Sequence, residues 1–91
     1  MNEENNDKDQ KRFQVIQNEL FEIYCKKNYD YGDSYKQFGL IGILCRLQDK
    51  MNRLLTISKN NINLVVDETL SDTLKDLSNY AILAMMEMTY N

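Results

Sequence analysis

Apolar residues recur along this chain at helical rather than strand spacing. Phe13, Ile16, Leu20 and Tyr24 return every three or four positions, which predicts a helix from about Asp9 to Lys27, with Asp7 or Asp9 as its cap. Leu40, Leu44, Leu47, Met51, Leu54 and Leu55 predict a second helix, from Ser34 as N-cap to about Ser58. A third is predicted from Asp67, its cap, to about Thr89; Leu70, Leu74, Leu77, Ala81, Ala84 and Met88 share one face of it. The segment KNNIN reads as a turn, and Leu64 to Val66 as a short extended lead-in to the third helix. No strand pattern is longer than a few residues. The expected fold is all-α, a small bundle of three main helices, with residues 1–8 a flexible tail and residues 9–91 one domain.

The polar faces complicate that picture. Opposite its apolar stripe the third helix carries Glu68, Asp72, Asp76 and Asn79, all within about 80° of arc. Acids on a helix ordinarily form a solvated face. Here the same face continues as Leu83 and Met86, and AILAMMEM is apolar nearly all round. Such a helix is buried on several sides, so the acids are expected to face a groove with an apolar floor. One small core cannot cover so much apolar surface, and a homo-oligomer packed through Tyr80 to Met88 is expected. Acids four residues apart repel, so a metal or a basic neighbour must offset them.

The second helix offers such a neighbour. Gly39, Gly42, Arg46, Asp49, Lys50 and Arg53 fall on one side of it, within about 100°. One reading is a close helix crossing at the glycines beside an exposed charged face. The other is a pocket, in which Arg46, Lys50 and Arg53 bind phosphate or pair with the acids of the third helix. The first helix adds Glu19, Glu22 and Lys26 on one side; its ExxE pair suits a metal and is also common on exposed helices. Between the first two helices lies KKNYDYGDSYKQFG, with Tyr29, Tyr31, Tyr35 and Phe38. Asn28, Asp30, Gly32 and Asp33 fail as a calcium loop: the glycine comes one place early, and Gly39 stands where a bidentate Glu is required. The aromatics are divided between capping the core and forming a stacking wall for a base.

Composition narrows the chemistry. At 91 residues there is room for one modest core. A formal net charge of -3 argues against nucleic acid or a membrane surface as partner. The chain has no histidine, which removes the usual general base and the commonest zinc ligand. Any metal site would be built from carboxylates and would suit Mg²⁺ or Mn²⁺. Cys25 and Cys45 lack CxxC spacing and are expected to be reduced core thiols in a cytoplasmic protein. No apolar run reaches the length of about 18 residues that a membrane span needs. The opening MNEENNDKDQKR is unlike a signal peptide.

Three blocks, KNYDYGDS, RLQDKMNRL and DETLSDTLKDLSNYAI, carry a resemblance. In that order they resemble the nucleotide-modification-associated domain family of phages and mobile elements, which is grouped with the all-α MazG-like nucleotide pyrophosphohydrolases. The resemblance covers about Phe13 to Met88. It implies a helical bundle that oligomerises and handles a nucleotide, in the cytoplasm of a bacterium or a phage-infected host. MazG-like enzymes hold Mg²⁺ with an ExxE pair on one helix and an ExxD pair on the next, and water attacks the metal-bound triphosphate. Here Glu68, Asp72 and Asp76 can stand for the second pair, although at i+4 spacing. The helix before them has Asp49 alone, and the one ExxE is Glu19 and Glu22, a helix earlier. The cations in its place favour holding phosphate.

The expected nucleotide site is therefore Arg46, Lys50 and Arg53 with Lys26, Asp30, Tyr31 and Asp33. If a metal is bound, its candidate ligands are Glu68, Asp72, Asp76, Asp49, Glu19 and Glu22, and no catalytic residue is assigned. The leading expectation is a protein that binds a nucleotide, sequestering a nucleotide signal as an anti-defence device or serving nucleotide modification. The alternatives are a Mg²⁺-dependent pyrophosphohydrolase and a non-catalytic helical interaction module.

Overall fold

The computed structural model describes residues 3–59 and 68–90, with the side chains of residues 5–27, 37–59 and 70–89. All of the described backbone is helical. Helix α1 spans Glu3–Lys59 and is broken at Gly39; helix α2 spans Glu68–Tyr90. The break divides α1 into a first arm, residues 3–38, and a second arm, residues 40–59, so the fold is all-α with three helical segments, as the apolar spacing predicts.

Gly39 makes the break through its own backbone, with φ 62° and ψ -149°. That region is open essentially to glycine alone. A Cβ placed there would meet nothing within 4 Å, so conformation rather than space reserves the site for glycine. The segment KKNYDYGDSYKQFG, expected to connect two helices, is instead helical up to the break. The chain has no proline to interrupt it, and Gly32 alone does not. The first arm also starts at Glu3 rather than near Asp9; Glu3, Glu4 and Asp7 set acids in its first turns, where the helix dipole favours them. The turn at KNNIN, the extended lead-in and the cap at Asp67 lie outside the described residues.

Helix α2 is the element on which both arms pack. Ile43 of the second arm clusters with Leu83 and Ala84, and Lys50 pairs with Asp76. Seven residues forward in one helix match seven back in the other, so the second arm and α2 run antiparallel in constant register. The first arm reaches α2 through Leu20, Tyr24 and Lys27. Buried Asn79 donates from Nδ2 to the carbonyl oxygen of Leu20 at 3.2 Å, and Lys75 pairs with Glu19 at 3.3 Å. Among the described residues four apolar side chains are buried: Leu20, Ile43, Leu83 and Ala84. Tyr24, Leu40 and Tyr80 pack partly buried against that cluster.

The packed faces are rotated from the expected stripes, by about a quarter turn on α2 and by less on the second arm, where Leu40, Leu47 and Leu54 of the expected stripe do face inward. On the second arm the inward positions are Leu40, Ile43, Leu47, Lys50, Leu54 and Ile57, while Leu44, Met51 and Leu55 are exposed. On α2 the inward positions include Thr73, Asp76, Tyr80, Leu83 and Ala84, while Leu74 and Met88 are exposed. Each helix has two apolar faces, and a single copy can bury one. The seam that forms is the one that brings Lys50 to Asp76. Cys25 and Cys45 lie off both seams and are exposed free thiols, not core residues. No described helix is long and apolar enough to cross a membrane.

Candidate functional site

Charge concentrates where the three segments meet. Asp76 of α2 forms ion pairs with Lys50 of the second arm at 3.3 Å and with Lys27 of the first arm at 3.6 Å. Each lysine continues an apolar series: Lys27 follows Leu20 and Tyr24, and Lys50 follows Ile43 and Leu47. The pairs are thus drawn into the seam, with the Asp76 and Lys50 side chains 21% and 27% exposed. Such a charged layer in an apolar seam fixes register more than it adds stability. Lys50, expected to meet a ligand or an acid of the third helix, is held by the acid.

The other expected cations behave differently. Arg46, Arg53 and Lys26 are exposed, and among the described residues none of them pairs with an acid. Arg46 and Asp49 line a groove of about 530 Å³ at the helix break, together with Gln37, Phe38, Ile41, Gly42 and Cys45. The broken helix sets Phe38, at the end of the first arm, beside this first part of the second arm. Phe38 is 65% exposed, so it does not cap the core. An exposed ring next to an arginine fork offers stacking to a base and paired donors to a phosphate. A second, more apolar cleft of about 330 Å³ lies between the first arm and α2, lined by Gln17, Leu20, Phe21, Tyr24, Asn79, Ile82 and Met86.

Among the described residues the acids do not assemble. Glu19 is engaged by Lys75 and Asp76 by two lysines, while Glu22, Asp49 and Asp72 are exposed. Among the described residues no three acidic or thiol side chains come together as a cation would need. The side chains of Glu68, Asp30, Tyr31 and Asp33 lie outside the described ones.

Residues 27–88, more than half of the chain, match the family described as nucleotide modification associated domain 1. The chain belongs to that family. No curated protein and no solved structure matches it significantly. The nucleotide-modification domain so defined takes in Lys27, the Gly39 break, the Phe38–Arg46 groove and the Lys50–Asp76 pair. It leaves out Glu19, Glu22 and Lys26, and with them the one ExxE of the chain. Lys27 is a candidate site residue that pattern reading misses, whereas Phe38 is already among the aromatics that could stack on a base. The spacing Leu20, Tyr24, Lys27 is the available signal for Lys27, since it carries the apolar series of the first arm one step further.

Proposed function

We propose that this nucleotide-modification domain binds a small phosphorylated nucleotide in the groove at the helix break. Arg46 holds phosphate, Arg53 lies two turns further along the same face, and Phe38 stacks on the base. The observation that carries this reading is the placement around one groove, inside the family's own segment, of an exposed aromatic ring and an arginine that has no acid partner among the described residues. A groove of that volume suits a nucleotide-sized ligand. Lys50 contributes by fixing the second arm on α2 rather than by touching the ligand. The resemblance to phage proteins and to the MazG-like group belongs to the same proposal, as does a cytoplasmic role in holding a nucleotide signal or serving nucleotide modification.

Binding is favoured over hydrolysis because the described acids are engaged by lysines or stand apart, and do not fit a Mg²⁺ or Mn²⁺ site. The test is calorimetric titration with nucleoside mono- and triphosphates and cyclic dinucleotides, with and without Mg²⁺. Saturation at about 100 times Kd adds roughly 2.7 kcal/mol of stability, readable as a thermal shift. Arg46→Ala removes a charge-assisted hydrogen bond, worth about 1.5–3 kcal/mol, and is expected to raise Kd roughly 10- to 150-fold. Phe38→Ala weakens binding without changing the Mg²⁺ response. A panel in which nothing binds, or titrations unchanged by both substitutions, would remove the groove from consideration. Recovery of cleaved nucleotide in a metal-dependent reaction would restore the hydrolase reading.

A further inference from the structure

The cleft between the first arm and α2 is separate from the groove at the helix break. It encloses about 330 Å³ and shares no lining residue with that groove. Leu20, Phe21 and Tyr24 form its wall on the first arm, and Asn79, Ile82 and Met86 its wall on α2. Helical spacing explains why these side chains converge: 20, 21 and 24 share one face of their helix, and 79, 82 and 86 one face of theirs. Leu20 and Asn79 are buried and make the floor, while Phe21, Ile82 and Met86 are exposed and make the mouth. The lining holds no acid, lysine or arginine, so nothing in it would recognise a phosphate or another ion.

The floor is not wholly apolar. Asn79 is 3% exposed, and its amide offers both donors and an acceptor. Nδ2 donates to the carbonyl oxygen of Leu20 at 3.2 Å, which ties the two walls together. Oδ1 makes no hydrogen bond to another described residue, yet it is not sealed from solvent. Since Asn79 is otherwise enclosed, that oxygen opens into the cleft it lines.

An acceptor at the bottom of an apolar cleft selects what can fill it. A pure hydrocarbon would bury the oxygen without a partner, and a charged molecule would lose its hydration with no counter-ion to replace it. A flat aromatic ring with one N–H avoids both costs. Phe21 and Tyr24 offer it aromatic contact on one wall, and the Met86 thioether suits a ring on the other. We propose that this cleft binds an uncharged heteroaromatic molecule whose ring N–H donates to Oδ1 of Asn79. Gln17, Leu20, Phe21 and Tyr24 all precede the segment matched by the family, so the site belongs to the first arm of this chain as much as to the family's domain. A ligand there touches the first arm and α2 at once and holds them together.

This binding is independent of nucleotide at Arg46, and its experiment uses no nucleotide. Indole, with one ring N–H, is the probe, and 1-methylindole, which lacks that hydrogen, is the control. Two-dimensional NMR of the full chain is expected to show saturable shifts of the Asn79 side-chain amide and of the Ile82 and Met86 methyl groups on adding millimolar indole. 1-Methylindole is expected to bind roughly 5- to 150-fold more weakly, because it leaves a buried acceptor unpaired. Phe21 is 66% exposed, so Phe21→Ala is expected to keep the helical circular dichroism while weakening indole by about tenfold. Where that variant loses its helical signal, Met86→Ala takes its place in the same titration. Shifts that do not saturate, or that centre on Phe38 and Arg46, would overturn the proposal. So would equal binding of indole and 1-methylindole, which would mean that water serves Asn79. A Phe21→Ala variant that binds indole as the wild type does, or that changes the sedimentation of the free protein because another copy covers the cleft, would overturn it as well.

Discussion

Asp76 sits between two lysines, and this decides how substitutions there should differ. Removing Lys50 leaves Asp76 paired with Lys27, and a methionine would keep the apolar stem that packs in the seam. Removing the charge of Asp76 leaves the half-buried cation of Lys50 and the exposed one of Lys27 without the acid that they share. Breaking a buried pair from one side costs more than the pair itself contributes, and partial exposure reduces that cost here. Asp76→Asn is therefore expected to lower unfolding stability by about 1–2 kcal/mol, and Lys50→Met by less than about 1 kcal/mol. Urea unfolding of both variants checks the order. In molar salt the penalty of Asp76→Asn is expected to shrink, since mobile ions screen the two lysines. Equal losses in the two variants would mean that Lys27 and Lys50 do not share Asp76.

The three helical segments are legible in the sequence because apolar residues recur at helical spacing throughout. The ends at Lys59, Glu68 and Tyr90 are legible to within a residue, but the start of the first arm, the break at Gly39 and the packed faces are not. The segment from Lys26 to Phe38 looks like a loop by its glycine, acids and aromatics, yet Gly32 alone does not end a helix, whereas the backbone of Gly39 does. The seams are easily misplaced because Leu44, Met51, Leu74 and Met88 form stripes as regular as the true ones. Periodicity cannot say which of two apolar faces is buried within one chain. The lysines at seam positions can, since Lys50 is already among the cations suited to partner the acids. At Gly39 the element-level prediction is direct. Any side chain must adopt a glycine-only conformation, although space is free around it. Gly39→Ala is expected to cost about 1–3 kcal/mol, seen as a lower urea midpoint. If the alanine variant instead continues the helix unbroken, Phe38 and Arg46 separate, and nucleotide binding is lost beyond what stability explains. An alanine variant with wild-type midpoint and binding would show that the break has another cause.

At the scale of the whole molecule, a small core must hold a long chain. Four described apolar side chains are buried, while residues 5–18 of the first arm are exposed throughout. Domains of this size gain little stability from one core, and self-association is a common remedy. If a second copy packs on Tyr80 to Met88, as the apolar sequence there leads one to expect, folding and assembly are linked by mass action, and stability depends on protein concentration. Each tenfold rise in concentration then adds about 1.4 kcal/mol per dimer, which for a domain of this length moves the melting midpoint by several degrees. Thermal unfolding over a hundredfold range of concentration is expected to show midpoints rising in step. Met85→Glu is expected to flatten that dependence and to melt at the lower limit, because it removes the contribution of assembly while leaving the Ile43–Leu83–Ala84 cluster untouched. Superposable melts for the wild type across the range would show instead that the seam between the second arm and α2 suffices by itself. The exposed Met85 and Met88 would then play no part in stability.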